Sequence, residues 1–302
     1  MENKEIVLVT GGSGMVGKSL YKIQPNYIYI SSKNYDLTNE NDVKRMFEKY
    51  KPTKVVHLAA KVGGIIDNIK KPHEYFIENI KMNTNMVEYS HKFGVKQFIG
   101  ILSTCIYPDY VERYPMTEDD LHLGPPAMTN FSYGYSKRCL AVQIDSLNKQ
   151  YGTKFQYLTP CNLYGEYDKM GENSHFVAAL LEKIIQANTS SKNEITLFGS
   201  GNPLRQFMYS DDLAWVINEC INNDIYESFN VANKENLSIK EMSEITLKVL
   251  KLEHIKINFD TTKPDGQYRK DVSIDKLNNL LPNFNPLPFE KGVKQVYDKI
   301  SK

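Results

Sequence analysis

The run EIVLVT (5–10) ends directly on GGSGMVG (11–17), which reads Gly11-x-x-Gly14-x-x-Gly17. An apolar, β-branched run followed at once by closely spaced glycines predicts a strand, a tight turn and a helix in quick succession. Glycine permits the turn, lets a backbone approach a pyrophosphate closely, and lets the helix lie against the strand. The helix N-terminus then offers free N–H groups and positive dipole to phosphate oxygens. Standing first in the chain, this unit predicts a dinucleotide site formed by Gly11, Gly14, Met15, Val16 and Gly17.

The rest of the first half repeats the theme. YIYIS (27–31), KVVHLAA (54–60), QFIGILS (97–103) and FQYLTP (155–160) read as short buried strands. Helical stretches at about 41–50, 73–92 and 133–151 separate them. Such alternation predicts an α/β fold, a Rossmann-type doubly wound parallel sheet. Past residue 160 the pattern loosens, and a smaller α/β substrate lobe is expected. The expected boundaries are 1–160 for the nucleotide domain, with about 205–235 returning to it, and 161–204 plus 236–302 for the lobe. NSHFVAALLEKIIQA (173–187) reads as a helix capped by Asn173 or Ser174.

Composition excludes several function classes. A net charge of +1 over 302 residues gives no global attraction to nucleic acid or an anionic membrane. Cys105, Cys139, Cys161 and Cys220 form no CxxC pair, so no metal site is expected. No apolar run approaches the ~20 residues of a membrane span, and MENKEIVLVTGG shows no secretion signal, so a cytoplasmic setting with reduced thiols is expected.

Within the first domain, three residues suggest chemistry. Tyr133 and Lys137 in SYGYSKR are four apart, hence on one helix face. An ammonium beside a phenol lowers a pKa that is ordinarily ~10, which suits proton donation to a carbonyl under reduction. Ser103, at the end of the fourth strand, can donate to the same oxygen. The second strand ends Ser31-Ser32-Lys33 with no acid before Asp36. Hydroxyls and a lysine suit a ribose 2′-phosphate, so NADPH is favoured over NADH. Lys33 can equally be a solvated lysine, and Asp36 can lie near the adenine or cap the following helix.

These segments resemble the GDP-L-fucose synthase family (GDP-4-keto-6-deoxymannose 3,5-epimerase-4-reductases) of the extended short-chain dehydrogenase/reductase superfamily. The matching stretches are GMVG (14–17), HLAAKVGGI (57–65), STCIYP (103–108), Tyr133–Lys137, NLYGEYD (162–168), NSH (173–175), GSGNPLRQF (199–207), DDLA (211–214) and KPDG (263–266). They run nearly end to end, in order. The resemblance implies an NADPH/NADP cofactor with further contacts from Leu37, Ala59, Ala60, Lys61, Leu102, Lys137, Pro160, Asn162, Leu163 and His175. It implies Cys105 as base and His175 as acid in epimerisation. A thiol and an imidazole titrate ordinarily near ~8.5 and ~6.5, close to working pH. His175, in the first turn of a helix, would have its imidazolium disfavoured by the dipole.

For the nucleotide sugar, the resemblance implies Thr104, Cys105, Asn162, Lys183, Phe198, Arg205 and Asp265. Arg269 and Lys270 add phosphate contacts or solvate a turn. Arg205 suits bidentate phosphate binding. Phe198 stands where the family pattern leads one to expect Trp, and Ser13 and Ser32 where it leads to Arg. A homodimer through the helices near 73–92 and 133–151 is also implied. Two other readings remain open. One is a C4 reductase of a GDP-4-keto-heptose, without epimerisation, for surface glycans. The other is a non-catalytic NADP-binding regulator, which would need the glycine turn but not Ser103, Tyr133 and Lys137 together.

Overall fold

The structure, a computed structural model, describes residues 5–171, 174–190 and 192–301. Its centre is a six-stranded parallel sheet built from β1 (Val7–Thr10), β2 (Ile28–Tyr29), β3 (Lys54–His57), β4 (Gln97–Ile101), β5 (Phe155–Pro160) and β9 (Phe229–Val231), in the order β2-β1-β3-β4-β5-β9. β1, β3 and β4 are buried at every position because both faces carry helices. Helices α1 (Met15–Ile23), α2 (Glu40–Tyr50), α4 (Pro72–Lys92), α5 (Phe131–Tyr151) and α7 (Ser210–Asn222) supply that cover, and the short, largely exposed α3 (Ile65–Lys70) leads into α4. On one side α4 packs along α5, and on the other α1 packs on α7, joined by Ser19 Oγ and Ser210 Oγ at 2.9 Å. The sheet order reverses between β1 and β3, and ligands of such sheets bind in the crevice outside that switch point.

A second layer is formed by β6 (Asn162–Tyr164), α6 (Phe176–Thr189), β7 (Glu194–Phe198), β8 (Leu204–Tyr209), β10 (Asn236–Ser238), α8 (Ile239–Leu250), β11 (Lys256–Asp260) and α10 (Phe289–Ile300), while α9 (Asp275–Leu280) packs on β9. β10-β8-β6 form one small sheet and β11-β7 another. Two apolar clusters, around Tyr164–Phe207–Phe289 and around Leu180–Leu197–Leu247, hold it.

The sequence placed 236–302 wholly in this lobe. The structure differs there, because Val272, Ile274, Leu277 and Leu281 enter the large core. The strap is stitched in by backbone bonds from Met116 to Asp271 and from Ser273 to Met116. Buried Gln206 completes it, donating to Asn233 O and Val272 O and accepting from Val272 N–H. Among the described residues, no helix is long and apolar enough to cross a membrane.

Candidate active site

At the switch point the glycine turn is a cradle closed to side chains. Gly11 has φ +68°, and a Cβ there would stand 2.8 Å from Ala59 N. A Cβ on Gly17 would stand 2.6 Å from Gly11 O. α1 starts at Gly14 without a side-chain cap, so its first-turn N–H groups face outward unclaimed. A dinucleotide diphosphate fits such a cradle, being an anion that requires backbone approach and bare amides. Met15 and Val16 form the first turn beside it.

The flanking loops are braced. Asn79, fully buried on α4, accepts from Lys61 N–H and donates to Lys61 O, fixing the Ala59–Ala60–Lys61 segment after β3. The Lys61 ammonium is held by Glu74 and Glu78 at 2.7 and 2.6 Å. Ser32 and Lys33 sit exposed on a turn after β2. Asp36 does not cap α2, whose N-cap is Asn39. It accepts from Thr38 N–H and Oγ–H, tightening the turn before that helix. The Leu37 side chain lies in the core, which leaves only its backbone for a ligand. Leu102 N–H donates to Leu158 O, Pro160 ends β5, and Asn162 donates to Gln206 O beside half-buried Leu163.

Beyond β4 the chain makes a tight 3-10 turn, Thr104–Ile106. Ser103 caps it, its Oγ accepting from Cys105 N–H at 3.3 Å, and Thr104 is buried within it. α5 begins against this turn. A Cβ on Gly134 would come 2.6 Å from Cys105 O, so glycine is what lets α5, which carries Tyr133, approach the turn that carries Cys105. Ser103 lies near the Tyr133 phenol. That phenol is pushed well up by burial and by Cys105 nearby, with Ser103 pulling the other way.

The depression expected from Lys137 is therefore corrected. The Lys137 ammonium is buried and donates to Ile101 O at 2.8 Å, and burial lowers its own pKa to about 8. Tyr133 stays protonated at neutral pH, which is the state a proton donor requires.

Cys105 is partly exposed, with Lys270 Nζ 3.6 Å from its Sγ. Burial pushes the thiol up, but Lys270, Ser103 and Arg205 together bring it below the ordinary value. Lys270 thus faces the thiol and does not solvate a turn. Arg269, expected to contact phosphate or solvate a turn, is held bidentately by Asp271 and stacks on Tyr114.

His175 stands at the N-cap of α6, which opens at Phe176, later than the sequence suggested. Ser174 is not the cap, and Asn173 lies outside the described residues. The His175 Nδ1 lies 2.9 Å from Asp168 Oδ1. The bond to Asp168 raises the imidazole's pKa, burial opposing it. The expected dipole effect is overturned, since a full carboxylate charge in contact exceeds the roughly half charge of a helix end.

The remaining substrate candidates gather on the lobe. Phe198 is exposed between two cations, Lys183 Nζ at 5.3 Å and Lys263 Nζ at 5.9 Å from its ring centre. Asp265 accepts from Ser200 N–H and Oγ–H, locking the turn whose Gly199 and Gly201 have φ of +83° and +80°. Arg205 Nη1 donates to Leu204 O and Tyr268 O, while Nη2 has no protein partner among the described residues.

Three elements escape sequence reading. Gly134 carries no sequence signal between Tyr133 and Tyr135, and neither does Asp168 at the end of NLYGEYD. The third is the buried His57, whose Nδ1 meets Thr10 Oγ1 at 2.8 Å and Nε2 meets Asn83 Oδ1 at 3.1 Å. Asn83 Nδ2 donates to Ser136 O on the Tyr133 helix, which fixes the amide and hence the Nε2–H tautomer of His57.

The chain is similar to known proteins along nearly its whole length. The NAD dependent epimerase/dehydratase family matches residues 7–232. The GDP-L-fucose synthase of Dictyostelium discoideum is 37% identical, covering 97% of this chain and 94% of that protein. The crystal structure of a GDP-L-fucose synthetase from Naegleria fowleri bound to NADP superposes with a TM-score of 0.87 at 32% identity, over 100% of this chain and 95% of that one. A GDP-mannoheptose C4 reductase from Campylobacter jejuni, at 23% identity and TM-score 0.87 over the whole of both chains, shares the fold. The chain belongs to the NAD dependent epimerase/dehydratase family and, within it, to the family of the GDP-L-fucose synthases.

Proposed function

We propose that this chain is an NADPH-dependent C4 reductase of a GDP-4-keto sugar that also epimerises C3 and C5. The observation that carries the reading is the closeness of Ser103, Cys105 and Tyr133 just beyond β4, with Lys270 against the thiol. A reductase alone needs the two hydroxyls. A thiol held toward thiolate beside them suits removal of a proton from carbon.

The C4 carbonyl acidifies the hydrogens on C3 and C5. Ser103 Oγ–H and Tyr133 O–H donate to its oxygen and stabilise the enolate. Cys105 takes the proton from one face and His175 returns one on the other. Tyr133 then protonates the C4 oxygen as that carbon is reduced, while Lys137, tied to Ile101 O, holds the strand end and helix together. Bound NADPH supplies the hydride. Gly11, Gly14 and Gly17 would cradle its diphosphate, and Ser32 and Lys33 its 2′-phosphate. Arg205 takes the substrate diphosphate, and Phe198, with Lys183 and Lys263, its base. The protein acts in the cytoplasm as a homodimer, a reading supported by apolar Phe76 on α4 and Val142 and Tyr151 on α5, which remain exposed.

The test is incubation with GDP-4-keto-6-deoxymannose in D₂O, first without and then with NADPH. Deuterium at C3 and C5 followed by NADPH-dependent GDP-L-fucose is the expected result. Reduction without deuterium would make the protein a C4 reductase only, and no turnover at all would overturn the reading.

A further inference from the structure

Asp168 has no role in the chemistry derived so far, yet it touches a group that does. It closes a turn after β6, its N–H donating to Gly165 O, and its carboxylate is 6% exposed. Oδ1 meets Lys169 N–H and His175 Nδ1, both at 2.9 Å. Among the described residues, His175 is the one cationic side chain paired with this carboxylate. With Nδ1 so engaged, Nε2 is the ring nitrogen left without a protein partner among the described residues.

We propose that Asp168 is the positioning residue of His175, fixing the ring through Nδ1 so that Nε2–H is the proton returned to the sugar in epimerisation. The inference rests on the epimerase reading above. It gives the two faces of the sugar opposite electrostatic settings. Lys270 and Arg205 favour the thiolate of Cys105, and Asp168 favours the imidazolium of His175. Base and acid then stand charged in opposite senses at the same pH, as inversion through an enolate requires. The charged groups facing His175 are Asp168, which raises its pKa, and Lys169, which lowers it. A raised pKa keeps the acid form present until pH climbs through that value, so the alkaline limb of epimerisation is set by this pair.

The test uses the full chain and the variants Asp168→Asn and Asp168→Glu. The His175 titration is followed by NMR in the ligand-free enzyme, and deuterium uptake at C3 and C5 of GDP-4-keto-6-deoxymannose is followed against pH. In Asp168→Asn the titration midpoint falls and the alkaline limb moves down with it. Uptake at pH 8 drops about ten- to a hundredfold, part of the ~10²–10⁴ that a general acid contributes. Asp168→Glu, which restores the charge, recovers part of the loss. An unmoved His175 midpoint, or a loss equal at every pH and not recovered by Glu, overturns the proposal even where wild-type exchange is normal. Absence of deuterium uptake by the wild-type enzyme overturns the epimerase reading and the acid role together, whatever the titration shows.

Discussion

Lys270 Nζ lies 3.6 Å from Cys105 Sγ, across 165 residues of chain. The ammonium is itself disfavoured by burial and recovered in part by the thiolate it faces. Lys270→Met keeps the stem and removes the charge, so the thiol pKa rises. The base form is present above that pKa, so the acidic limb of deuterium exchange moves to higher pH. At a fixed pH below the new limb, exchange slows about tenfold for every pH unit the limb has moved. Alkylation of Cys105 by iodoacetamide, located by mass spectrometry, reports the same midpoint without substrate.

Tyr133→Phe removes the proposed donor to the C4 oxygen but leaves Ser103 in place. NADPH-dependent reduction is expected to fall by about 10²–10⁴. Deuterium exchange, for which Ser103 still polarises the carbonyl, falls less. Single-turnover reduction compared with exchange measures that split, and equal losses in both would refute it.

Gly17→Ala introduces a methyl that meets the carbonyl oxygen of Gly11 at 2.6 Å and Gly12 Cα at 2.7 Å. Backbone on both sides cannot yield as a side chain would. The helix start must shift, at a cost of about 1–3 kcal/mol. NADPH binding, followed by fluorescence titration, should weaken in proportion, a tenfold higher Kd corresponding to about 1.4 kcal/mol.

His57 is buried, and burial, with the Lys137 charge, lowers its pKa to about 3. The unfolded chain takes up a proton near pH ~6.5 that the folded chain refuses. Stability from this residue is complete above that pH and is lost as pH falls, at up to about 1.4 kcal/mol per pH unit. Urea unfolding at pH 7, 6 and 5 should show the slope, and His57→Gln, which cannot titrate, should flatten it.

What could be read from the sequence was what lies within a few residues. Gly11, Gly14 and Gly17 declare a phosphate turn because strand, turn and helix follow one another without interruption. Tyr133 and Lys137 declare a helix face through four-residue spacing. That Lys137 would bond Ile101 O and leave the phenol raised could not be read, because burial depends on what packs around both. Asp168 and His175 are seven apart across a turn with no periodic signal. Lys270 was visible as basic but not as a partner, since its position depends on the strap from Asp271 to Leu281 entering the large core. The Arg269 ion pair with a carboxylate two residues away was likewise not signalled by the run of basic residues.

The turn after β4 couples the two proposed activities mechanically. Ser103 caps it by accepting from the amide of Cys105, so the hydroxyl that polarises the ketone and the thiol that draws off the proton hang from a single peptide hinge. Shifting that backbone by even a fraction of an ångström would misplace both at once. A descendant or a designer wishing to keep one activity and discard the other therefore does so by exchanging side chains on an unmoved backbone, at position 105, 133 or 168, and not by remodelling this loop.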